Sequence, residues 1–340
     1  MVVEEEWRTL LAHTGGLREG IESETFSLPS STCSFCVFRF WLCVFLWSRS
    51  CVVLDGVGAR EGLVIMSKVG MEPERGAERH YGCKSVLPSF VPQFVRLVIC
   101  MAWMMVCVAL VLVVAPLLLP KRRWRACIVK VFMVLFAPVV YAVYGIRLRV
   151  TGMENRGSLA RREPVVYLAN HSSTLDVVTC SRVTSTGTIA IVKKELLVHP
   201  IGWIAWLNGT IFIDRSSREK AIKSVNSISG LLRKHGLSVC VFPEGTRSKD
   251  GRLQPFKKGA MHLAMQSKVP IVPVVVTGAH KLWGRKGWGV KCDGDPIEIK
   301  FLPAIDTSGW TPESLAKHTE DLHALFIRHL PEDQRPLKGE

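Results

Sequence analysis

Residues 165–176 have the sequence VVYLANHSSTLD, and residues 238–248 have the sequence SVCVFPEGTRS. Each stretch begins with an apolar run of the length of a β-strand and continues into a polar loop. Similar runs predict strands at 165–169, 189–192, 210–213, 238–242, 271–277 and 297–302, and helical patterns are present at 218–234, 259–267 and 312–329. This alternation predicts an α/β domain with a largely parallel sheet and helices packed on it.

The loop after the first strand carries a candidate acid–base pair. His171 follows the strand, and Asp176 comes five residues later. A histidine accepts protons near neutral pH, and a carboxylate within reach would hold one ring nitrogen and stabilise the imidazolium. A turn that opens into a helix would bring the two side chains together. The alternative is a helix cap formed by Ser172, Ser173 or Thr174, with a structural histidine.

The loop 242–248, FPEGTRS, carries residues suited to an anionic group. Gly245 permits close approach of the backbone, and Thr246 offers a hydroxyl. Arg247 can bind a phosphate through two parallel hydrogen bonds. The alternative is a turn held by a structural Glu244–Arg247 pair.

Two further stretches include predicted strands. The stretch 209–215, GTIFIDR, ends in Arg215, which would place a second cation at the same rim or would be an exposed edge charge. The stretch 269–274, VPIVPV, predicts a structural strand. Its prolines indicate a strand at the sheet edge or with an irregular start.

Two apolar runs precede the α/β region. The run 97–119 has no charged residue and would reach roughly 35 Å as a helix, enough to cross a bilayer core of about 30 Å. The second run, 126–145, contains Lys130 and Pro138. The runs form either two spans or a shallow hairpin, and we favour a hairpin or monotopic anchor. We therefore divide the chain into an N-terminal extension (1–90), a membrane anchor (91–146) and an α/β domain (147–335).

Charge and cysteine usage narrow the class of protein. The formal net charge of +15 suits an anionic membrane face, phosphorylated substrates or nucleic acid, or reflects basic residues that flank apolar segments. No nucleic-acid-binding motif is present in the sequence. The eleven cysteines do not suggest a disulfide framework, and the lone pair Cys33 and Cys36 lacks partners for a metal site.

The first 90 residues are the least informative. They begin with acidic residues and do not start like a secretory signal. The apolar stretch 33–47 is shorter than a membrane span and contains Arg39. It is either an interfacial segment or sequence upstream of a later start at Met66, Met71 or Met101.

Taken together and in order, the four blocks resemble the motifs of the phospholipid and glycerol acyltransferase family, the bacterial PlsC-like group. The blocks are NHSSTLD (170–176), GTIFIDR (209–215), FPEGTRS (242–248) and VPIVPV (269–274), and FKKG (256–259) is also similar to the family pattern. The resemblance covers roughly residues 147–305 and is closest to the 1-acyl-sn-glycerol-3-phosphate acyltransferases. It implies a mixed sheet flanked by helices, with N-terminal membrane-embedded helices.

The resemblance also implies an activity. Acyl-CoA would donate an acyl group to the sn-2 hydroxyl of 1-acyl-sn-glycerol-3-phosphate, giving phosphatidic acid in phospholipid biosynthesis. His171 would be the general base and Asp176 its supporting carboxylate. Because the acyl thioester, on CoA or an acyl-carrier protein, is a co-substrate, we expect no metal and no bound cofactor. The expected location is a membrane, in particular the endoplasmic reticulum.

The acceptor would be held by the basic loops. The resemblance places its phosphate at Arg247, Gly245, Thr246 and Arg215, and includes Glu244 in the same loop, where it would orient the backbone. Expected partners are membrane lipids, lysophosphatidate and acyl-CoA, and no nucleic acid.

Three alternatives stay open at the level of sequence. In the first, the chain is an acyltransferase of the same family whose acceptor is another lysophospholipid or glycerol 3-phosphate. In the second, it is a non-catalytic module that binds anionic lipid. In the third, it is a histidine–aspartate hydrolase of acyl thioesters.

Overall fold

The computed structural model describes residues 78–118, 122–157, 163–198, 200–207, 209–213, 218–285 and 289–337. These residues belong to one compact unit, Pro73–Glu340. The predictions made for the N-terminal extension before residue 78, including the apolar stretch 33–47 and the pair Cys33 and Cys36, lie outside the described residues.

The elements follow one another along the chain as strands and helices. The strands are β1 (Arg79–Gly82), β2 (Arg147–Thr151), β3 (Val166–Ala169), β4 (Thr188–Lys193), β5 (Ile211–Ile213), β6 (Ser238–Val241), β7 (Ile271–Thr277) and β8 (Ile297–Phe301). The helices are α1 (Gln93–Leu118), α2 (Arg122–Arg125), α3 (Ile128–Tyr144), α4 (Leu175–Val183), α5 (Pro200–Leu207), α6 (Arg218–His235), α7 (Gly259–Ser267), α8 (Ala279–Leu282) and α9 (Leu315–His329).

The strands of the described residues form one mixed sheet with the order β1-β2-β8-β7-β3-β6-β4-β5. The five strands from β7 to β5 in this order are parallel, whereas β8 is antiparallel to β7 and β1 is antiparallel to β2. The predicted α/β class with a mixed sheet and flanking helices is therefore confirmed. Because β3 and β6 are parallel neighbours, the loops that follow them meet at the same edge of the sheet.

Alternating side chains of β3 explain why the strand is apolar throughout. Val166 and Leu168 pack with α6, α7 and α9 on one face, whereas Tyr167 and Ala169 pack with α3 and α4 on the other. All four residues are fully buried. Parallel strands covered on both faces have this composition, and each large apolar side chain contributes about 1.5–3 kcal/mol.

The interpretation of VPIVPV as an edge strand is wrong, because β7 lies between β8 and β3 in the interior of the sheet. Pro273 is tolerated there for a local reason. It lies immediately before the first β7–β8 pair, Val274 with Phe301, so its missing N–H falls at the end of that ladder and interrupts no pair within it. Its carbonyl accepts a hydrogen bond from Leu302 N, at 2.9 Å.

Helices α1 and α3 pack against each other. Cys107, Val108 and Val111 of α1 form an apolar cluster with Phe132 and Met133 of α3. Further along, α3 also packs into the core on one face of the sheet, so it belongs to the α/β unit as well as to the helix pair.

In the described part of the chain, α1 alone is long and apolar enough to cross a membrane. Its most apolar window lies within Gln93–Pro116, with a mean hydropathy of 3.0 and only 22% of its residues buried. Phe94 and Val113 are exposed by 73% and 77%. This composition and exposure indicate membrane association.

The start of α1 is fixed by a buried arginine. The guanidinium of Arg96 donates to the carbonyls of Leu87, Pro88, Val91 and Val143 and to the hydroxyl of Ser85. These contacts satisfy the charged group without a carboxylate and tie the base of α1 to the end of α3.

Candidate active site

The candidate site lies at the carboxyl ends of β3 and β6. Asn170, directly after β3, fixes the exit of the chain because its side chain exchanges two hydrogen bonds of 2.8 Å with the backbone of Val276 in β7. His171 follows, and the loop Phe242–Ser248 leaves β6 beside it. The hydrogen bond from Ser248 N to His171 O, 2.9 Å, joins the two loops.

His171 and Asp176 form the pair predicted from the sequence. The Nδ1 atom of His171 lies 2.9 Å from Asp176 Oδ2. The same oxygen accepts hydrogen bonds of 2.7 Å from Ser172 N and Ser173 N, in the turn that opens into α4. Asp176, in the first turn of α4, therefore holds both the turn before this helix and the ring of His171. Of the hydroxyls considered as caps, that of Ser173 accepts a hydrogen bond of 3.1 Å from Leu175 N, so a serine contact at the start of α4 and the histidine–aspartate contact are both present.

The geometry determines which nitrogen of His171 is available. Asp176 Oδ2 already accepts two backbone hydrogen bonds, so in the neutral imidazole the proton is assigned to Nδ1 and the lone pair to Nε2. Nε2 makes no hydrogen bond within the described residues, and the side chain is 14% exposed. The ring is stacked on Phe242, with centroids 4.1 Å apart and planes at 19°. His171 is thus held on one face and one edge, with Nε2 available to a substrate.

Glu244 is buried beneath this histidine. Its Oε1 accepts a hydrogen bond of 2.8 Å from His171 N. Burial raises the pKa of Glu244 to about 8, and the negative charge of Asp176 adds to the increase, whereas backbone hydrogen bonds from His171 and Gln254 oppose it. Oε2 is buried without a partner among the described residues. Glu244 is therefore mainly protonated at neutral pH, with its carboxyl group directed at the backbone of the histidine loop.

Arg247 connects the two predicted motifs. Its guanidinium donates through Nη1 to the hydroxyl of Thr174, and its side chain is half-buried. The neighbouring Thr246 is exposed. Gly245 has φ +73°, and a Cβ added there would lie 3.0 Å from Lys257 Nζ. Glycine at this position therefore permits a turn that brings the Lys257 ammonium close to the Arg247 loop.

A third segment, Gly278–Arg285, which includes α8, completes the rim and was missed by sequence reasoning. Ser173 Oγ donates to Trp283 O at 2.6 Å, and Arg285 Nη1 donates to Arg247 O at 3.0 Å. The order of the strands in the sheet could have predicted the place of this segment. The segment follows β7, a parallel neighbour of β3, so it begins at the same edge of the sheet.

Arg215 lies outside the described residues, so its predicted place beside Arg247 stays a prediction. The strand that precedes it, β5, is at one end of the sheet, separated from β6 by β4. The described residues contain no cluster of histidine, cysteine, aspartate or glutamate suited to a metal ion.

Comparisons with known proteins agree with the fold and with the predicted family. The sequence profile described as "Acyltransferase" matches residues 147–277. A 1-acyl-sn-glycerol-3-phosphate acyltransferase of Limnanthes douglasii is 36% identical over 240 residues, which cover 68% of this chain and 83% of that protein. Proteins with the same name from Cocos nucifera and Saccharomyces cerevisiae are 40% and 38% identical over 53% and 58% of this chain, and over 58% and 64% of their own lengths.

A solved structure shares the architecture. The 1-acyl-sn-glycerophosphate acyltransferase PlsC of Thermotoga maritima superimposes with a TM-score of 0.52 and 19% identity, over 71% of this chain and 99% of that one. This similarity concerns the fold. Together with the sequence relatives, it defines the class of the protein as an α/β enzyme that transfers acyl groups. The chain belongs to the acyltransferase family, as its resemblance to the PlsC-like group predicted.

Proposed function

We propose that the chain transfers an acyl group from acyl-CoA to the sn-2 hydroxyl of 1-acyl-sn-glycerol-3-phosphate, giving phosphatidic acid. The observation that carries this proposal is the 2.9 Å contact between His171 Nδ1 and Asp176 Oδ2, which leaves Nε2 as a proton acceptor beside the Arg247 loop. The names of the relatives support the choice of acceptor.

In the proposed reaction His171 is the general base. Nε2 would accept the proton of the sn-2 hydroxyl as its oxygen forms a bond to the thioester carbonyl carbon. The carboxylate of Asp176 would stabilise the imidazolium. As the tetrahedral intermediate collapses, the carbon–sulfur bond breaks and the CoA thiolate takes the proton from His171. Atoms and charges balance without a covalent acyl-enzyme.

The phosphate of the acceptor would bind at the Arg247 loop. A guanidinium forms two parallel hydrogen bonds to a phosphate, and the Lys257 ammonium close to Gly245 adds a second positive charge. Gly245, Thr246 and Arg215 belong to the same proposed subsite. Glu244 acts indirectly in this proposal, because its carboxyl group holds the backbone of His171.

The reaction requires no resident metal or cofactor, since the acyl thioester is itself a substrate. The acceptor and the acyl chain both reside in a bilayer, which fits the membrane association indicated by α1. We propose the endoplasmic reticulum as the site of this step of phospholipid biosynthesis.

The proposal is tested by incubating detergent-purified protein with labelled oleoyl-CoA and lysophosphatidate, beside the His171→Ala variant. We expect the wild type to form phosphatidic acid and the variant to lose at least about 10²-fold in rate. Circular dichroism and thermal unfolding would establish that the variant is folded.

Other outcomes identify the alternatives. Turnover with glycerol 3-phosphate or a larger lysophospholipid, but not with lysophosphatidate, would replace the acceptor. Release of free oleate without an acceptor would indicate a thioester hydrolase. Binding of anionic lipid without turnover of any acceptor would indicate a non-catalytic module.

A further inference from the structure

Helix α5 presents two large aromatic side chains to the outside. Trp203 and Trp206 are exposed by 53% and 57%, and their spacing of three residues places them on the same side of the helix. Val198, in the short turn before α5, is exposed by 78%. Adjacent exposed aromatic and apolar side chains on a folded protein mark a surface that contacts something else.

This helix is attached to the apolar pair α1 and α3. Leu207, at the end of α5, is buried in the cluster that joins α1 to α3. Arg125 donates from Nε to Leu207 O at 3.1 Å and from Nη2 to Trp206 O at 3.3 Å. These bonds satisfy carbonyls at the end of α5 and place a cation where the helix dipole favours it. The exposed face of α5 is therefore held next to the helix that indicates membrane association.

The charged residues near α5 in the sequence indicate which kind of partner this surface would contact. The sequence contains no aspartate or glutamate between Glu78 and Glu154, nor between Glu195 and Asp214. The segment that joins α1 to α3 carries Lys121, Arg122, Arg123 and Arg125. Apart from Glu195, which precedes Val198, the charged residues nearest to this apolar surface in the sequence are basic, and an anionic bilayer attracts Lys and Arg near its surface.

The two tryptophans indicate how deep this surface would lie in a bilayer. Its ring is apolar while its N–H can donate a hydrogen bond, so tryptophan is enriched at the boundary between headgroups and acyl chains. We propose that the exposed surface formed by Val198 and by Trp203 and Trp206 of α5 is a second membrane-contact surface that inserts at this boundary beside α1. The proposal rests on the membrane-associated function proposed above.

The second contact has a mechanical consequence. A single apolar helix keeps a protein at a bilayer but leaves the attached domain free to tilt. A second contact at α5 restricts this tilt, and it holds the α/β unit in one orientation toward lipid substrates.

The first experiment measures depth without turnover. Full-length protein is reconstituted in phosphatidylcholine–phosphatidylglycerol vesicles that carry a nitroxide either near the headgroup or near the end of the acyl chain. Tryptophan fluorescence of the wild type is compared with that of the Trp203→Phe/Trp206→Phe variant. The control is Trp310→Phe, because Trp310 stacks on His318 with centroids 4.3 Å apart, next to the helices of the opposite sheet face.

In the wild type, part of the tryptophan fluorescence should be quenched more strongly by the headgroup nitroxide than by the chain-end nitroxide. We expect this part of the fluorescence to be lost in the double variant and retained in the control. If the fluorescence lost with Trp203 and Trp206 is insensitive to both nitroxides, the proposal is wrong. Because quenching requires no activity, an inactive protein that shows this part of the fluorescence would contradict the proposed function and leave the membrane surface standing.

The second experiment measures the consequence for catalysis. Trp203→Ser/Trp206→Ser should raise the apparent KM for acceptor embedded in vesicles by roughly tenfold or more, because interfacial apolar area is lost. The KM for a monomeric short-chain acceptor should not change. Leu337→Ser removes another exposed apolar side chain, near the C-terminus, and serves as the control. A variant that changes oligomeric state in detergent, with the vesicle KM unaltered, would identify the surface as a contact with a second copy.

Discussion

Asp176 illustrates how one buried atom can have two functions. Its Oδ2 accepts the N–H groups of Ser172 and Ser173 and contacts His171 Nδ1, and the residue is fully buried. The two backbone donors fix the carboxylate in place and stabilise its negative charge. The histidine is thereby oriented by a group that the start of α4 has already immobilised.

We expect Asp176→Asn to lower kcat by about 10²–10⁴-fold, because a neutral amide neither stabilises the imidazolium nor selects the productive tautomer. The KM for acyl-CoA should change little. The measurement is steady-state kinetics of Asp176→Asn. The control is Asp321→Asn, because Asp321 is exposed on α9. Wild-type kcat in Asp176→Asn would exclude a role for this carboxylate in proton transfer.

Glu244 should make stability depend on pH. Its pKa is about 8 in the folded protein and near 4.5 when exposed, because burial disfavours the charged form. The folded state therefore binds more protons than the unfolded state between these values, so the free energy of unfolding decreases as pH rises from about 4.5 to about 8. At most this amounts to on the order of 5 kcal/mol.

We expect Glu244→Gln to remove this contribution, since the neutral amide keeps an oxygen for His171 N and does not ionise. The measurement is the unfolding temperature in detergent across this pH range, with Glu320→Gln, exposed on α9, as the control. An equally steep decrease in wild type and Glu244→Gln would assign the pH dependence to other groups.

At the scale of elements, three loops at one edge of the sheet form the site. They follow β3, β6 and β7, which are adjacent and parallel. Direct hydrogen bonds join them: Ser248 N to His171 O, Ser173 Oγ to Trp283 O, and Arg285 Nη1 to Arg247 O. The segment after β7 therefore supports both predicted motifs.

Arg285→Ala should weaken acceptor use, because Arg285 holds the backbone of Arg247 and adds a cation at the rim. We expect a roughly threefold to tenfold higher KM for lysophosphatidate, the cost of about one hydrogen bond, with kcat less affected. Arg233→Ala is the matched control, because Arg233 is exposed at the end of α6, which precedes the amino end of β6. If Arg285→Ala leaves the KM as unchanged as Arg233→Ala does, this role is contradicted.

Arg247→Lys should raise the KM for lysophosphatidate further than Arg285→Ala, because lysine cannot form the bidentate bond.

At the scale of the whole molecule, the described site lies within the unit Pro73–Glu340. We expect a variant that lacks residues 1–72 to retain acyl transfer within about a factor of two, because a compact unit with its own core folds independently. The measurement is turnover of labelled oleoyl-CoA by the shortened and full-length proteins at equal concentration in detergent. Loss of activity from a folded, shortened protein would assign a functional role to the first 72 residues.

The sequence by itself determined the class of fold, the order of most elements and the residues of the candidate pair. These features are local. The runs that form β3 and β7 are apolar because these strands are buried on both faces, and His171 and Asp176 are only five residues apart. The strands β1 and β2 escaped prediction because they lack an apolar run: Arg79–Gly82 is four residues long and begins with two polar residues, and Arg147–Thr151 has only two aliphatic residues.

The tertiary structure alone decided what depends on residues distant in the sequence. The interior place of β7 follows from its two neighbours in the sheet, and the raised pKa of Glu244 follows from everything packed around the carboxyl group. Likewise, Phe242 lies under His171 only because β3 and β6 are paired. Sequence patterns record local periodicity and chemical type, whereas strand order, desolvation and ring contacts arise when separate segments pack together.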